Sequence, residues 1–129
     1  KIAGDDMLHF IGEFFHFPLL AAVTYQRMMG TLLTDLIQKK SGQQLDFTRR
    51  GDDIYWQGRK LNISIATAGA NSSLIHFAVN VSNEGTPVAT CSLSDFGISQ
   101  AEDFAQDFLE VLKGEFLSIK RASVKVRTF

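Results

Sequence analysis

An α+β fold, a mostly antiparallel sheet with helices packed on one face, is predicted by three stretches of this 129-residue chain. From Asp52 to Val81 apolar and polar residues alternate with period two, the mark of half-buried strands. From Pro18 to about Lys40, Leu20, Val23, Gly30, Leu33 and Ile37 return in register at helical spacing. From Ser99 to about Ile119, Phe104, Phe108, Val111, Leu112 and Ile119 make a second helical stripe. Helices gathered at the two ends of a run of strands make an α+β sandwich rather than alternating α/β units.

In chain order, Gly4-Asp5-Asp6 precedes MLHFIGEFF, and an aspartate there can cap a helix. Leu8, Ile11 and Phe15 fall at near-helical spacing, with His9 on a neighbouring face, so a short first helix is expected. Phe17-Pro18 ends it, and proline suits the first position of the long helix that follows. Gly30 costs that helix roughly 1 kcal/mol relative to alanine, which implies close packing at this point. Ser41-Gly42 closes it, and Leu45 and Phe47 begin a strand that enters the sheet.

Gly58-Arg59 reads as a two-residue hairpin turn that pairs Gln57 with Lys60, Tyr55 with Asn62 and Asp53 with Ser64. That register puts Ile54, Trp56, Leu61, Ile63 and Ile65 on a core face. Asp53, Tyr55, Gln57, Lys60, Asn62, Ser64 and Ala66 lie on the other. The strand from Leu74 to Ser82 divides likewise, with Ile75, Phe77, Val79 and Val81 opposite His76, Ala78, Asn80 and Ser82. Ser82 to Pro87 is a turn, Val88 to Leu93 a weak strand or extended loop, and Ser94 to Gly97 a break. Ser99 with Glu102 three residues later is a capping-box pattern for the closing helix. Arg121 to Phe129 alternates and suits a final edge strand. Its basic cluster (Lys120, Arg121, Lys125, Arg127) would discourage edge-to-edge aggregation.

Composition removes several function classes. A 45% hydrophobic content and net charge of −1 describe one ordinary globular domain over residues 1–129, without the excess basic charge of a broad nucleic-acid surface. One cysteine, Cys91, excludes an intrachain disulfide and a multi-cysteine metal site. No apolar run reaches the ~20 residues of a membrane-spanning helix, and no signal peptide is recognisable, so a cytoplasmic location is expected. The chain opens at Lys1 without a methionine and reads as the C-terminal portion of a longer protein.

The second sheet face carries the chemistry. A merely solvated face is rich in long charged residues, whereas Ser64, Ala66, Ala78 and Ser82 are small. Asn62, His76 and Asn80 suit hydrogen bonding in a partly covered pocket, with Lys60 at its edge. Another piece of chain or a ligand fits above such a floor. Other candidates reduce to ordinary roles. His9, His16 and His76 have no cysteine or carboxylate at tight ligand spacing, so no metal site is expected. Cys91 and Trp56 read as packing residues, Arg49-Arg50 as a solvated turn, and Ser72-Ser73 lacks a nucleophile elbow.

The string DDIYWQGRKL, followed by an alternating strand and FAVNV, resembles the core of the biotin and lipoate protein ligases, which share the class II aminoacyl-tRNA synthetase-like fold. The architectural likeness runs from about Leu19 to Leu117, and its motifs lie between Asp52 and Val81. The resemblance implies that Lys60 takes the place of the lysine that contacts both the acid's carboxylate and the α-phosphate of ATP. Asp52-Asp53 takes that of an Asn-Asp pair, and Asn80 that of an asparagine near nucleotide and metal. ATP and Mg²⁺ are thus implied as cofactors, with Asp53 or Asn80 near the cation and Asn62 and His76 lining the site. The chain departs from the ligases at Asn62-Ile63, where they place small residues, and at His76 and Ala78, where they place glycines. Their Gly/Arg-rich clamp loop is missing from these residues. DDMLHFIGEFF and SIATAGANSSLIHFAVNVSNEGTPV are more closely similar to an uncharacterised prokaryotic family built on the same fold. Members of that family carry an additional N-terminal segment.

Three function classes follow. One is an ATP-dependent acyl ligase or transferase that forms an acyl-adenylate. Another is a non-catalytic module of the same fold that binds a small carboxylic acid or a nucleotide. The last is an interaction domain forming a homodimer through a sheet edge. Fold likeness does not choose between enzyme and binding protein.

Overall fold

The computed structural model describes residues 6–83 and 89–124. Two three-stranded antiparallel sheets and two long helices make the predicted α+β fold. The larger sheet has the order β1-β6-β5, with β1 at Met7–Phe15, β5 at Asn62–Ala68 and β6 at Ser72–Asn80. The smaller has the order β2-β3-β4, with β2 at Phe47–Arg50, β3 at Asp53–Trp56 and β4 at Arg59–Lys60. The single sheet expected from the alternation is therefore two.

The first segment is a strand, not the expected short helix. Leu8, Phe10, Gly12 and Phe14 satisfy period two as well as Leu8, Ile11 and Phe15 satisfy a helix. All nine residues of β1 pair antiparallel with β6, from Met7 opposite Asn80 to Phe15 opposite Ser72. The strand reading buries Phe10 against Phe108, rings 5.0 Å apart edge to face, and seats Phe14 5.0 Å from Phe17 and from Phe116. Long-range pairing and aromatic burial outweigh a weak local preference.

The hairpin turn falls one residue earlier than predicted. Gln57 and Gly58 both have positive φ, +53° and +74°, as a type I′ turn demands. Tyr55 therefore pairs with Lys60 and Trp56 with Arg59, and the predicted Gln57–Lys60, Tyr55–Asn62 and Asp53–Ser64 pairs do not form. After two residues of β4 the inside-outside alternation breaks, because Leu61 and its neighbour Asn62 are both fully buried. Beyond that break Asn62 and Ser64 face the core. Ile63 and Ile65, predicted to face it, are 51% and 58% exposed. The phase of β6 is as expected, with Ile75, Phe77 and Val79 buried.

Both helices cover one face of the larger sheet. The long helix α1 spans Leu19–Ser41, after Pro18 and before Gly42 in a left-handed cap. It buries Ala22, Tyr25, Met29, Leu33, Leu36 and Ile37, whereas Leu20 at its first turn is exposed. Gly30 lets it approach the smaller sheet: a Cβ there would lie 3.1 Å from Ile54 Cδ1. The closing helix α2, Ala101–Ser123, buries Phe104, Phe108 and Leu112, and its Leu112 carbonyl accepts a 2.9 Å hydrogen bond from Tyr25 Oη of α1. Ser99 is not its cap. Gln100 holds that position without a side-chain bond, leaving Glu102 in the first turn to complement the helix dipole. A 3₁₀ turn at Leu93–Phe96 brings Phe96 within 5.4 Å of Phe47 and 5.1 Å of Trp56, closing the core beneath the smaller sheet. At the C-terminus α2 continues through Arg121 to Ser123, where an edge strand was expected to begin. The rest of that stretch, with Lys125 and Arg127, lies outside the described residues, as do Gly4-Asp5 and the turn around Pro87.

Candidate functional site

The register of β2, β3 and β4 sorts their side chains into two faces. Phe47, Ile54 and Trp56 point to the core. Thr48, Arg50, Asp53, Tyr55 and Lys60 share the other face, since Arg50 pairs with Asp53, and Tyr55 pairs with both Thr48 and Lys60. On it Lys60 Nζ sits 3.1 Å from Asp53 Oδ2, and the Arg50 guanidinium lies 4.3 Å above the Tyr55 ring centre. Beside this face Arg27 of α1 binds Asp52 at 3.1 Å. The Lys60–Asp53 pair is part exposed, at 38% and 27%, and such ion pairs contribute only about 0–1 kcal/mol. The ammonium is therefore only weakly committed to Asp53.

The main chain of Lys60 is held firmly. Its N–H donates to Ala89 O at 3.2 Å, and its carbonyl accepts from Cys91 N–H at 3.0 Å. Asn80 Nδ2 donates to the Lys60 carbonyl at 3.2 Å and to the Cys91 carbonyl at 3.1 Å. Asn80 thus meets the backbone of Lys60 rather than its ammonium. Asn62 is fully buried: its Oδ1 accepts from Ile54 N–H at 2.8 Å and its Nδ2 donates to Asp52 O at 3.4 Å. That amide takes the place of a ladder partner where the chain passes from one sheet to the other. Cys91 is buried, and its thiol donates to Arg59 O at 3.3 Å. Burial, then the Asp95 carboxylate, pushes it from 9.0 up to about 12, so it is an inert packing residue at neutral pH.

Of the predicted site residues, the fold gathers Asp53, Lys60, Asn62 and Asn80 at the junction of the two sheets. His76 lies elsewhere, four residues along β6 from Asn80, or roughly 13 Å. It is exposed, and its Nε2 lies 2.9 Å from His9 Nδ1 of β1. Sequence reasoning missed the place of Arg50 beside Lys60 and the meeting of His9 with His76. Tyr55 was already on the Lys60 face by alternation, whereas Arg50, read as part of a solvated turn, joins that face only once the pairing is known. His9 meets His76 only if its segment is a strand, which the alternation in MLHFIGEFF could have signalled.

Residues 1–127 match the family model of a domain of unknown function, DUF366. The chain belongs to the DUF366 family. This DUF366 chain is similar to a solved protein of unknown function from Pyrococcus horikoshi, 37% identical with a TM-score of 0.82, over 98% of this chain and 66% of that one. It is 30% identical over 105 residues to the uncharacterized protein MJ0805 of Methanocaldococcus jannaschii, over 78% of this chain and 45% of that one. It therefore spans less than half of that curated relative. The fold is that of the biotin protein ligases. The apo ligase of Aquifex aeolicus is 11% identical with a TM-score of 0.74, over 90% of this chain and 55% of that one. The same enzyme in complex with biotin and ATP is 13% identical with a TM-score of 0.68, over 84% and 49%. Among the described residues of this DUF366 chain, no helix is long and apolar enough to cross a membrane.

Proposed function

We propose that the polar face of the smaller sheet binds a small carboxylic acid together with ATP and joins them, with Lys60 as the residue that draws the two anions together. The observation that carries this reading is the placement of Lys60 Nζ beside Asp53, on the face that also presents Arg50 and Tyr55. A carboxylate and a phosphate repel each other, and an ammonium touching both offsets that repulsion. Charge building on the phosphoryl oxygens is stabilised by the same group, which extends from a main chain held by three hydrogen bonds. ATP, when bound, supplies the α-phosphoryl group to which the carboxylate is joined with loss of pyrophosphate. The Arg50 guanidinium offers a planar fork suited to phosphate oxygens.

Asp53, released from its ion pair once Lys60 turns to the two anions, is then the carboxylate beside them for an accompanying Mg²⁺. No group of three His, Cys, Asp or Glu among the described residues holds a metal alone, and a nucleotide-borne Mg²⁺ takes most of its ligands from phosphate and water.

Exchange of labelled pyrophosphate into ATP, run acid by acid with biotin, lipoate and fatty acids, tests the reading. Exchange with one acid, abolished in Lys60→Ala, is the expected result. Undiminished exchange in that variant removes Lys60 from the mechanism. A second reading, a module that binds without turnover, is favoured by the engagement of the Asn62 and Asn80 amides with backbone groups. It predicts a rise in Tm with ligand and no exchange with any acid.

A further inference from the structure

His9 and His76 come from strands whose nearest ends are far apart in the chain, and nothing in the Lys60 site uses them. We infer that this histidine pair is a binding site for a first-row transition-metal ion of the Cu²⁺, Ni²⁺ or Zn²⁺ type, separate from the Lys60 face. The geometry points to it directly. His9 Nδ1 and His76 Nε2 converge to 2.9 Å, with ring centres 5.1 Å apart. Two imidazoles bound cis to one metal at about 2.0–2.1 Å hold their nitrogens roughly 2.9–3.4 Å apart for angles between about 90° and 110°. The two rings share a hydrogen bond here, and a metal ion would replace its proton, each ring turning until its lone pair meets the ion instead of the other nitrogen. Each ring then carries its N–H on the outer nitrogen, Nε2 of His9 and Nδ1 of His76, and turns a lone pair toward the metal.

The surroundings favour the same occupant. Both histidines stand on strands of nine residues paired along their whole length, so their Cα positions are fixed. On the same face, His9 lies opposite Ala78 and His76 is flanked by Ile11 and Ile65. The small Ala78 leaves room, and Ile11 and Ile65, themselves exposed, offer no competing polar donor. Nitrogen donors in an apolar frame suit borderline metals and not Mg²⁺ or Ca²⁺, which require oxygen. The described residues supply no third His, Cys, Asp or Glu to this pair, so the remaining coordination positions belong to water or to an exogenous ligand.

Titration of the untagged chain with Cu²⁺ alone, followed by calorimetry and electron paramagnetic resonance, tests the site. One Cu²⁺ per chain is expected, with hyperfine coupling to two nitrogens. Loss of a metal's outer-shell partner costs about 10–100-fold in affinity, so His9→Gln and His76→Gln, each removing one of two ligands, weaken binding at least that much. His16→Gln, at the exposed residue after β1, leaves affinity unchanged. Independently of any variant, diamagnetic Zn²⁺ shifts the ring resonances of His9 and His76 and not those of His16. Binding that survives both single variants overturns the inference, as does the absence of Zn²⁺ shifts at the two rings.

Discussion

Asn62 illustrates how a polar residue can be spent on architecture. Its Oδ1 is the partner of the Ile54 N–H at 2.8 Å, and both groups lie inside the fold. Removing the side chain leaves a buried donor unpaired, so Asn62→Ala is expected to cost about 1–3 kcal/mol in urea denaturation. Lys60→Ala gives up a part-exposed ion pair and is expected to cost under about 1 kcal/mol. The contrast makes functional loss in Lys60→Ala interpretable, because that variant stays folded. Gln26 sits between these cases. It is 1% exposed and donates to Ser64 Oγ at 2.6 Å, while its own Oε1 has no partner among the described residues.

At the scale of elements, the pattern of β5 separates the predicted register from the observed one. Ile63→Thr and Ile65→Thr, at half-exposed positions, are each expected to change stability by no more than about 0.5 kcal/mol. Ile75→Ala, at a 1% exposed position of the neighbouring strand, is expected to cost about 2–5 kcal/mol. A core-facing Ile63 would instead make its substitution cost about as much as that of Ile75. The two helices and β6 were legible because their apolar periods run long enough to exclude alternatives. The first strand was not, because Leu8, Ile11 and Phe15 satisfy a helix locally and the partner that decides, β6, lies far along the chain. The turn slipped by one residue because Gly58 invites the turn at either of two positions. Gln57, a residue with no special tolerance for positive φ, adopts +53° only because the paired strands require it. The candidate site was half legible. That Asp53, Tyr55 and Lys60 share one face was readable from the alternation, while the place of Arg50 on it and the meeting of His9 with His76 became visible only with pairing in hand.

For the molecule as a whole, two buried acids of very weak strength set an alkaline limit. The Tyr25 hydroxyl is pushed from 10.0 up to about 12 by burial and then by Glu115, and the Cys91 thiol from 9.0 up to about 12 by burial and then by Asp95. In the unfolded chain these groups lose their protons first, so the native state holds more protons between about pH 9 and 12. Their contribution is complete below pH 9 and declines as pH climbs toward 12. Urea denaturation midpoints are therefore expected to fall between about pH 8 and 11, by less in a Cys91→Ala variant. The junction of the sheets also binds distant parts of the chain, since Asn80 joins the Lys60 and Cys91 backbones across β6, β4 and the segment before the 3₁₀ turn. The double burial at Leu61 and Asn62 has an evolutionary corollary. One inserted or deleted residue just after Leu61 would exchange every side chain of β5 between its two sides, stripping Gln26 of Ser64 and Ile54 of its amide partner. Among homologues, the length of this hairpin is expected to stay invariant.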